Sequence, residues 1–598
     1  MRRNHRAPSL ALIPLASALL WASAGVASTN VAGPVLTNTT WTAASSPYVV
    51  TGSIVIGFGA TLTIEPGVTV RINAGLGIQV GSPGAFGAGA LVAIGTAAAP
   101  ILFTSSNSPN AGAWNSIDFT TESIDAQFDQ VTGGWIGGST LQHCIVELAG
   151  SGGPATGAVT IQESTPYIAS STIRQSARSG IRATLQANQR LRIDGCIIRL
   201  CAHAGEGGGL WLSGGTGHRI ASSLFELNLA DLGGGVWLSN AAQVEFIGNV
   251  VRENTAGSSF ASGGGVYGSG LSGLAFLDNV IRDNAAGSGG SLGGAGGAYL
   301  NAPQGTIANS TFEGNLGARA GGLYIDSAGT TIAGCHFVDN SVAAEAGALW
   351  VGSSAVSIID SVFSDNVAGT RGGALYGPAS DGVISGNVFA GNRALAEGGG
   401  AIAFQFSGGH AVSFNDFLAN ETGGDGGAIW VPSVSATNIT CSGNDFIGNS
   451  ALRGGAICNR AKGLTLSGTP QSFNRMLGNQ ATAGAAIYHD VPNGADGNLP
   501  AANVCWGTTD QAQIQAMNWD FFDDANLGII ISIPVIAECS DAGAPGDLNG
   551  DGVVDGADLG LLLGAWGGCA SCPNCPADLN GDCAVNGADL GLLLGNWG

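Results

Sequence analysis

Between about residue 220 and residue 490 the chain restates one phrase, and that repetition restricts the fold more than any other feature. In the copy VFSDNVAGTRGGALYG (362–377), an aliphatic–Phe–x–x–Asn segment leads through a small-residue loop to paired glycines, an aliphatic residue and an aromatic. Aligning the asparagines gives Asn228, Asn254, Asn284, Asn315, Asn340, Asn366, Asn392, Asn420, Asn449 and Asn479, at spacings of 25 to 31 residues. A period of this size belongs to solenoids. Within one period, as in VISGNVFAGNRALAEGGGAIAF (383–404), three short β-type runs are separated by Asn or Gly turns. None has the apolar spacing or the length of a helix. Three strands per turn predict an all-β, right-handed parallel β-helix with the asparagines stacked at one corner, each amide bonded to the coil above. At about 4.8 Å per rung, roughly seventeen rungs make a rod on the order of 80 Å long.

Composition fits a coil that must turn sharply. Gly is 100 of 598 residues without the Gly-X-Y period of collagen, and 45% of the chain is hydrophobic, so it is folded and glycine-punctuated. Gly accepts positive φ and lets neighbouring coils approach closely. Only 10% of residues are charged, the net charge is -22, and Lys462 is the single lysine. That balance argues against nucleic acid or an anionic membrane as partner.

The N-terminus reads as an export signal spanning 1–27. Arg2, Arg3 and Arg6 precede the apolar run ALIPLASALLWASAGVA, which ends in small residues suited to cleavage after Ala24 or Ala27. The run is short for a bilayer span and contains Pro14, so no transmembrane anchor is expected. An exported chain can keep disulfides among its twelve cysteines. Cys505 with Cys539 and Cys441 with Cys458 are plausible pairs.

The repeats, FSDN followed by GGAL and FIGN followed by GGAI, resemble those of chlamydial polymorphic outer-membrane proteins, which implies right-handed parallel β-helices over about 220–490. That family's membrane barrel has no counterpart here. Upstream, ATLTIEPGVTVRI (60–72) and GALVAIGTAAAPILFTSS (89–106) resemble the first coils of secreted bacterial β-helix proteins. Downstream, NVCWGTTDQAQIQAMNWDFFDDANLG (503–528) resembles their closing segment. The solenoid is therefore expected over 28–543.

From 544 to 598 the style changes to two copies of one unit, GDLNGDGVVDGADLGLLLGAWG and ADLNGDCAVNGADLGLLLGNWG, 31 residues apart. Each opens on a calcium loop with oxygen ligands at positions 1, 3 and 5, a carbonyl at 7 and a carboxylate at 12. These are Asp547, Asn549, Asp551, Val553 and Asp558, then Asp578, Asn580, Asp582, Ala584 and Asp589. The ADLGLLLG that follows each loop reads as a short helix. The unit resembles a type I dockerin module, which implies two Ca²⁺ ions and docking onto a cohesin-like domain or cell-surface scaffold. It departs from that pattern at Cys583, where the second loop lacks the glycine of position 6, and at Gly556–Ala557 and Gly587–Ala588, where the partner-reading pairs are featureless. CASCPNC (569–575) has zinc-like spacing, although outside the cell disulfides among Cys569, Cys572, Cys575 and Cys583 are the simpler reading.

The strand after each glycine pair carries the functional clue. Period-two alternation sends Leu375 and Ile429 inward and the intervening residue outward. That outward position is Trp211, Trp237, Tyr267, Tyr299, Tyr324, Trp350, Tyr376, Ala403, Trp430, Cys458 and Tyr488. An outward aromatic file is either a platform for stacking sugar rings or a set of cross-strand pairs lying under long turns. For catalysis the one basic cluster in the repeats offers Arg460 and Lys462, a rung from His489 and Asp490. The same residues are equally an ordinary Arg460–Asp490 surface pair. The sequence thus points to a secreted, calcium-dependent rod for adhesion or carbohydrate binding, with a β-helix polysaccharide lyase or glycoside hydrolase as the alternative.

Overall fold

The computed structural model describes residues 28–537 except 258–261, 288–293, 353–354, 378–381, 406–407, 434–437, 467, 470–471 and 495. Beyond 537 it describes 539, 546, 548, 554–569, 575–579, 584–595 and 597. The expected signal segment and most of the two calcium loops lie outside these residues.

Each turn of the solenoid contributes one strand to each of three long parallel ladders, as in Ala275–Leu277, Val280–Arg282 and Ala298–Leu300. The first ladder has 16 strands, from Thr39–Trp41 to Thr465–Leu466. The other two are joined near the N-terminus, where Tyr48–Ile56 pairs with both Thr69–Ile72 and Ile78–Val80. A fourth ladder of ten short strands, from Leu229–Ala230 to Gln480–Ala483, follows the asparagine corner. Among the described residues, α-helices are confined to Gln511–Met517, Gly556–Gly564 and Gly587–Gly595, with one 3-10 turn at Ala43–Ser45. The chain is therefore an all-β parallel solenoid.

Alternation places one apolar file inside. Phe312, Phe337, Phe363, Phe389, Phe417 and Phe446 stack face to face with centroids 4.7 to 5.0 Å apart. That distance is the rung spacing itself, so in-register pairing, such as Phe337↔Phe363, converts one phenylalanine per repeat into a continuous stack.

The corner asparagines form the expected ladder. Asn366 Nδ2 donates to Asn392 Oδ1 at 3.0 Å and to the Phe337 carbonyl at 2.8 Å, and Asn366 Oδ1 accepts from both nitrogens of Asn340. The asparagines themselves do not adopt the left-handed backbone. The residue before each does so instead, for example Asp339 (φ 54°), Asp365 (φ 56°) and Gly391 (φ 64°). The paired glycines have separate duties. Gly372 has φ 65°, whereas a Cβ on Gly373 would overlap the Gly400 carbonyl of the next rung. Two ends close the core: Trp41 stacks on Tyr48 at 4.9 Å, and the Asp510-capped helix Gln511–Met517 buries Ile514 at the other end.

Candidate functional site

The aromatic file runs where the alternation put it. Leu349, Leu375 and Ile429 are fully buried inside the coil, and the rings lie outside it. They are not, however, an open platform. Neighbouring rings cover one another: centroids are 4.9 Å apart for Trp211–Trp237 and Tyr267–Tyr299, 5.0 Å for Tyr299–Tyr324 and 4.1 Å for Tyr324–Trp350. The outer face of Trp211 is taken by the Arg182 guanidinium at 3.7 Å, and Arg453 lies 5.6 Å from the Tyr488 ring. Arg371 sits near both Tyr376 and Trp430 and donates to the Tyr376 hydroxyl at 3.2 Å.

The loops before the glycine pairs then cover the middle of the file. Ala295, Ala320 and Ala346 pack on Tyr324, Trp350 and Tyr376, leaving the three rings 6%, 8% and 3% exposed. Burial raises the Tyr324 and Tyr376 hydroxyls above their ordinary range and pushes Tyr299 up to about 12. The indole N–H groups of Trp211, Trp237, Trp350 and Trp430 are buried without an acceptor. A sugar needs a ring face, and those of Tyr324, Trp350 and Tyr376 are covered by neighbouring rings and the alanine loops, so these three do not form an open platform.

The basic cluster also resolves into structure. Asp425, 4% exposed, receives Arg453 Nε at 2.6 Å and Arg460 Nη2 at 2.9 Å, and Asp490 lies 3.3 Å from Arg460 Nε. His489 shares the inward side of its strand with Ile487. Its Nε2 donates to the Gly497 carbonyl at 2.7 Å, while Nδ1 faces the Asn459 amide at 3.1 Å. Burial lowers its pKa, so it is a neutral core histidine. Lys462 is exposed on the following turn. The four candidates thus divide between the inside and the outside of the coil and do not converge on a substrate position.

Of the cysteine pairs, Cys505–Cys539 is bonded, as is Cys569–Cys575. Cys441 and Cys458 are free and buried, on strands of different ladders (Asn438–Ser442 and Ile457–Asn459). That corrects the second expected pair.

In the C-terminal unit, Asp547, Asn549, Asp551, Val553, Asn580 and Asp582 lie outside the described residues, whereas Asp558, Asp578, Ala584 and Asp589 are described. Asp558 is fully buried at the start of its helix and accepts from Leu548 N at 2.7 Å and Asp555 N at 2.9 Å. Asp589 repeats this with Leu579 N and Asn586 N, both at 2.8 Å. Leu562 and Leu593 share one small core with Val554, Ala577 and Val585, and Gly567–Gly568 pairs with Ala584–Val585.

One feature has no counterpart in the repeat and left no sequence signal beyond its irregularity. Residues 125–138 leave the coil as an antiparallel hairpin, Gln127–Phe128 against Trp135–Gly137. Its base is pinched by Gly138 (φ 79°), where a Cβ would overlap the Asp125 carbonyl. Its tip is tied by Asp129 Oδ1, which accepts from Val131 N, Thr132 N and Thr132 Oγ1 at 3.1, 2.7 and 2.8 Å. Arg192 clamps it to the rod, lying 4.1 Å from the Phe128 ring centre and donating to the Gly133 carbonyl at 3.2 Å.

Two family descriptions match the chain: a right handed beta helix region over 123–289 and 233–377, and a pectate-lyase-like beta helix domain over 33–126. The rod is a right-handed β-helix. No curated protein matches the sequence. Among solved structures, the chain is similar to the GH136 lacto-N-biosidase from Eubacterium ramulus at 10% identity and TM-score 0.30, covering 59% of this chain and 62% of that one. It is also similar to the periplasmic alginate epimerase AlgG (12%, 0.23, 58% and 77%) and to DFA-IIIase from Arthrobacter chlorophenolicus A6 (14%, 0.21, 61% and 84%). Superpositions this loose carry no argument about chemistry, and the chain spans less than two thirds of the first of these proteins.

Proposed function

We propose that the chain is an exported, non-catalytic β-helix rod for adhesion or carbohydrate binding, held to a cell-surface scaffold or complex by a calcium-dependent C-terminal module. On this reading 1–27 is removed on export, 28–543 is the rod and 544–598 is the tether, docking on a cohesin-like partner. Two disulfides support export.

The duplicated module carries the proposal. Asp558 and Asp589 are two fully buried carboxylates at equivalent helix starts, each fixed by two backbone N–H groups. A carboxylate fixed in this way at position 12 of such a loop is placed to close a calcium site. Asp547, Asn549, Asp551 and the Val553 carbonyl would join Asp558 in the first site; Asp578, Asn580, Asp582 and the Ala584 carbonyl would join Asp589 in the second. Calcium would supply the charge that lets each loop's carboxylates gather, and with it the fold of the tether.

The test is retention of the full chain on cell-envelope fractions and on immobilised cohesin-type modules, with Ca²⁺ or with EGTA, while soluble polysaccharides are scored for new reducing or unsaturated ends. The proposal expects EGTA-sensitive retention and no new ends. Calcium-independent retention contradicts the tether, and cleavage transfers the assignment to a lyase or hydrolase.

A further inference from the structure

The hairpin at 125–138 encloses one wall of a cleft of about 760 Å³ whose other wall is the turn at 186–190. That volume lies within the range of small-molecule sites. Both walls are fixed: the hairpin as described, and the turn by Gln189 Oε1 accepting from Gln186 N at 2.9 Å, Gln189 Nε2 donating to the Glu163 carbonyl at 2.7 Å, and Gln186 Nε2 donating to the Glu163 carboxylate at 2.6 Å. A preformed cleft of this kind loses little freedom when it takes a ligand.

We propose that this cleft binds a neutral oligosaccharide. The inference rests on the reading of the chain as an exported binding rod and supplies the site that the aromatic file does not. Three observations fix the ligand class. First, the lining is planar and polar: Asp125, Gln127, Gln186, Asn188, Arg190 and Arg192 present carboxylate, amide and guanidinium edges. Such edges offer paired donors or acceptors at the spacing of neighbouring hydroxyls. Second, the charges balance locally, with Asp125 and Asp129 against Arg190 and Arg192. Asp125 Oδ1 is held by Thr165 N at 2.6 Å, and hydrogen bonds from Thr132 and Val131 keep the Asp129 carboxyl below its ordinary range. An anionic ligand would meet these carboxylates inside the field of a chain of charge -22. Third, the cleft keeps spare donors. Arg192 Nε is buried without an acceptor, and Arg190 is exposed with no ion pair among the described residues. Apolar side chains of a peptide find little here, because Arg192 already covers Phe128.

The experiment titrates the full chain calorimetrically with cello-, xylo-, manno- and laminari-hexaose, with oligogalacturonate and with an unstructured peptide, in Ca²⁺ and in EGTA. The expected result is binding of at least one neutral hexasaccharide that survives both EGTA and 0.5 M salt. Arg190→Ala, on an exposed side chain, should weaken it about tenfold. Replacing 127–137 with Gly-Gly should abolish it while leaving the circular dichroism of the rod intact. Three results would overturn the proposal: binding of none of the neutral sugars, binding indifferent to both variants, or a salt-sensitive preference for oligogalacturonate or the peptide. Survival in EGTA separates this site from the tether, which fails or stands on calcium alone.

Discussion

Replacing Asn366 with Ala probes the corner ladder at a fully buried position. The side chain takes part in four hydrogen bonds: Nδ2 to the Phe337 carbonyl, Nδ2 to Asn392 Oδ1, and Asn340 N and Nδ2 to its own Oδ1. Two partners keep a second contact, since Asn340 Nδ2 still reaches the Phe312 carbonyl and Asn392 Oδ1 still accepts from Asn366 N. The Asn340 amide loses its acceptor in a dry corner, whereas the Phe337 carbonyl, in register with Phe363, keeps its ladder bond. At about 1–3 kcal/mol for the stranded amide and about 1 kcal/mol for the other lost bond, the substitution should cost about 3 kcal/mol. The protein contains its own control. In a second corner ladder Ser310 Oγ accepts from Asn279 N at 3.1 Å and donates to the Ala308 carbonyl at 3.0 Å, so a serine can hold such a corner. Asn366→Ser should therefore cost no more than about 2 kcal/mol. Because solenoids unfold by neighbouring repeats rather than as one unit, the readout is hydrogen exchange across 336–345 together with denaturant midpoints. Equal losses for Ala and Ser, or an Asn366→Ala rod within about 0.5 kcal/mol of the parent, would refute the hydrogen-bond accounting.

Trp350→Ala and Tyr376→Ala should each cost about 3 kcal/mol by denaturation and leave sugar binding unchanged, since both rings are buried beneath alanine loops; lost binding with unchanged stability would restore an open platform. Stability should fall as pH drops below about 6.5, because burial lowers the pKa of His203, His218 and His489 and the unfolded chain takes up protons that the folded one refuses. A pH-denaturation series that is flat from 7 to 5 would contradict it. Reducing Cys505–Cys539, separated by 34 residues, should loosen the C-terminal end of the rod by about 3–4 kcal/mol, read as faster exchange over 499–531 with the middle rungs unaffected.

How much could be read beforehand follows from what repeats. Asn340, Asn366 and Asn392 recur with a fixed neighbour pattern, so their stacking is legible without coordinates. The second corner ladder is not, because Asn249, Asn279, Ser310, Cys335, Ser361 and Asn387 alternate three residue types that satisfy the same backbone N–H or simply fill the same space. Inside and outside were legible from period two. Whether Trp350 met solvent was not, since that depends on loops of variable length folding back over it. The hairpin at 125–138 occurs once, and nothing in a repeat can announce its exception. His489 stands two residues after Ile487, so the alternation that turns Tyr488 outward already turns His489 inward; its contact with the Gly497 carbonyl was not legible.

Calcium titration of the full chain tests the central claim most directly, since the tethered rod stands on two ions held in the C-terminal module. Calorimetry should resolve two sites, the one at the Cys583 loop being weaker. Exchange over 554–569 and 584–595 should slow on Ca²⁺ addition while the rod's far-UV β signal stays constant. Asp558→Ala should remove the first site and Asp589→Ala the second. A chain that binds no calcium, or whose C-terminal helices are equally protected in EGTA, would contradict the account.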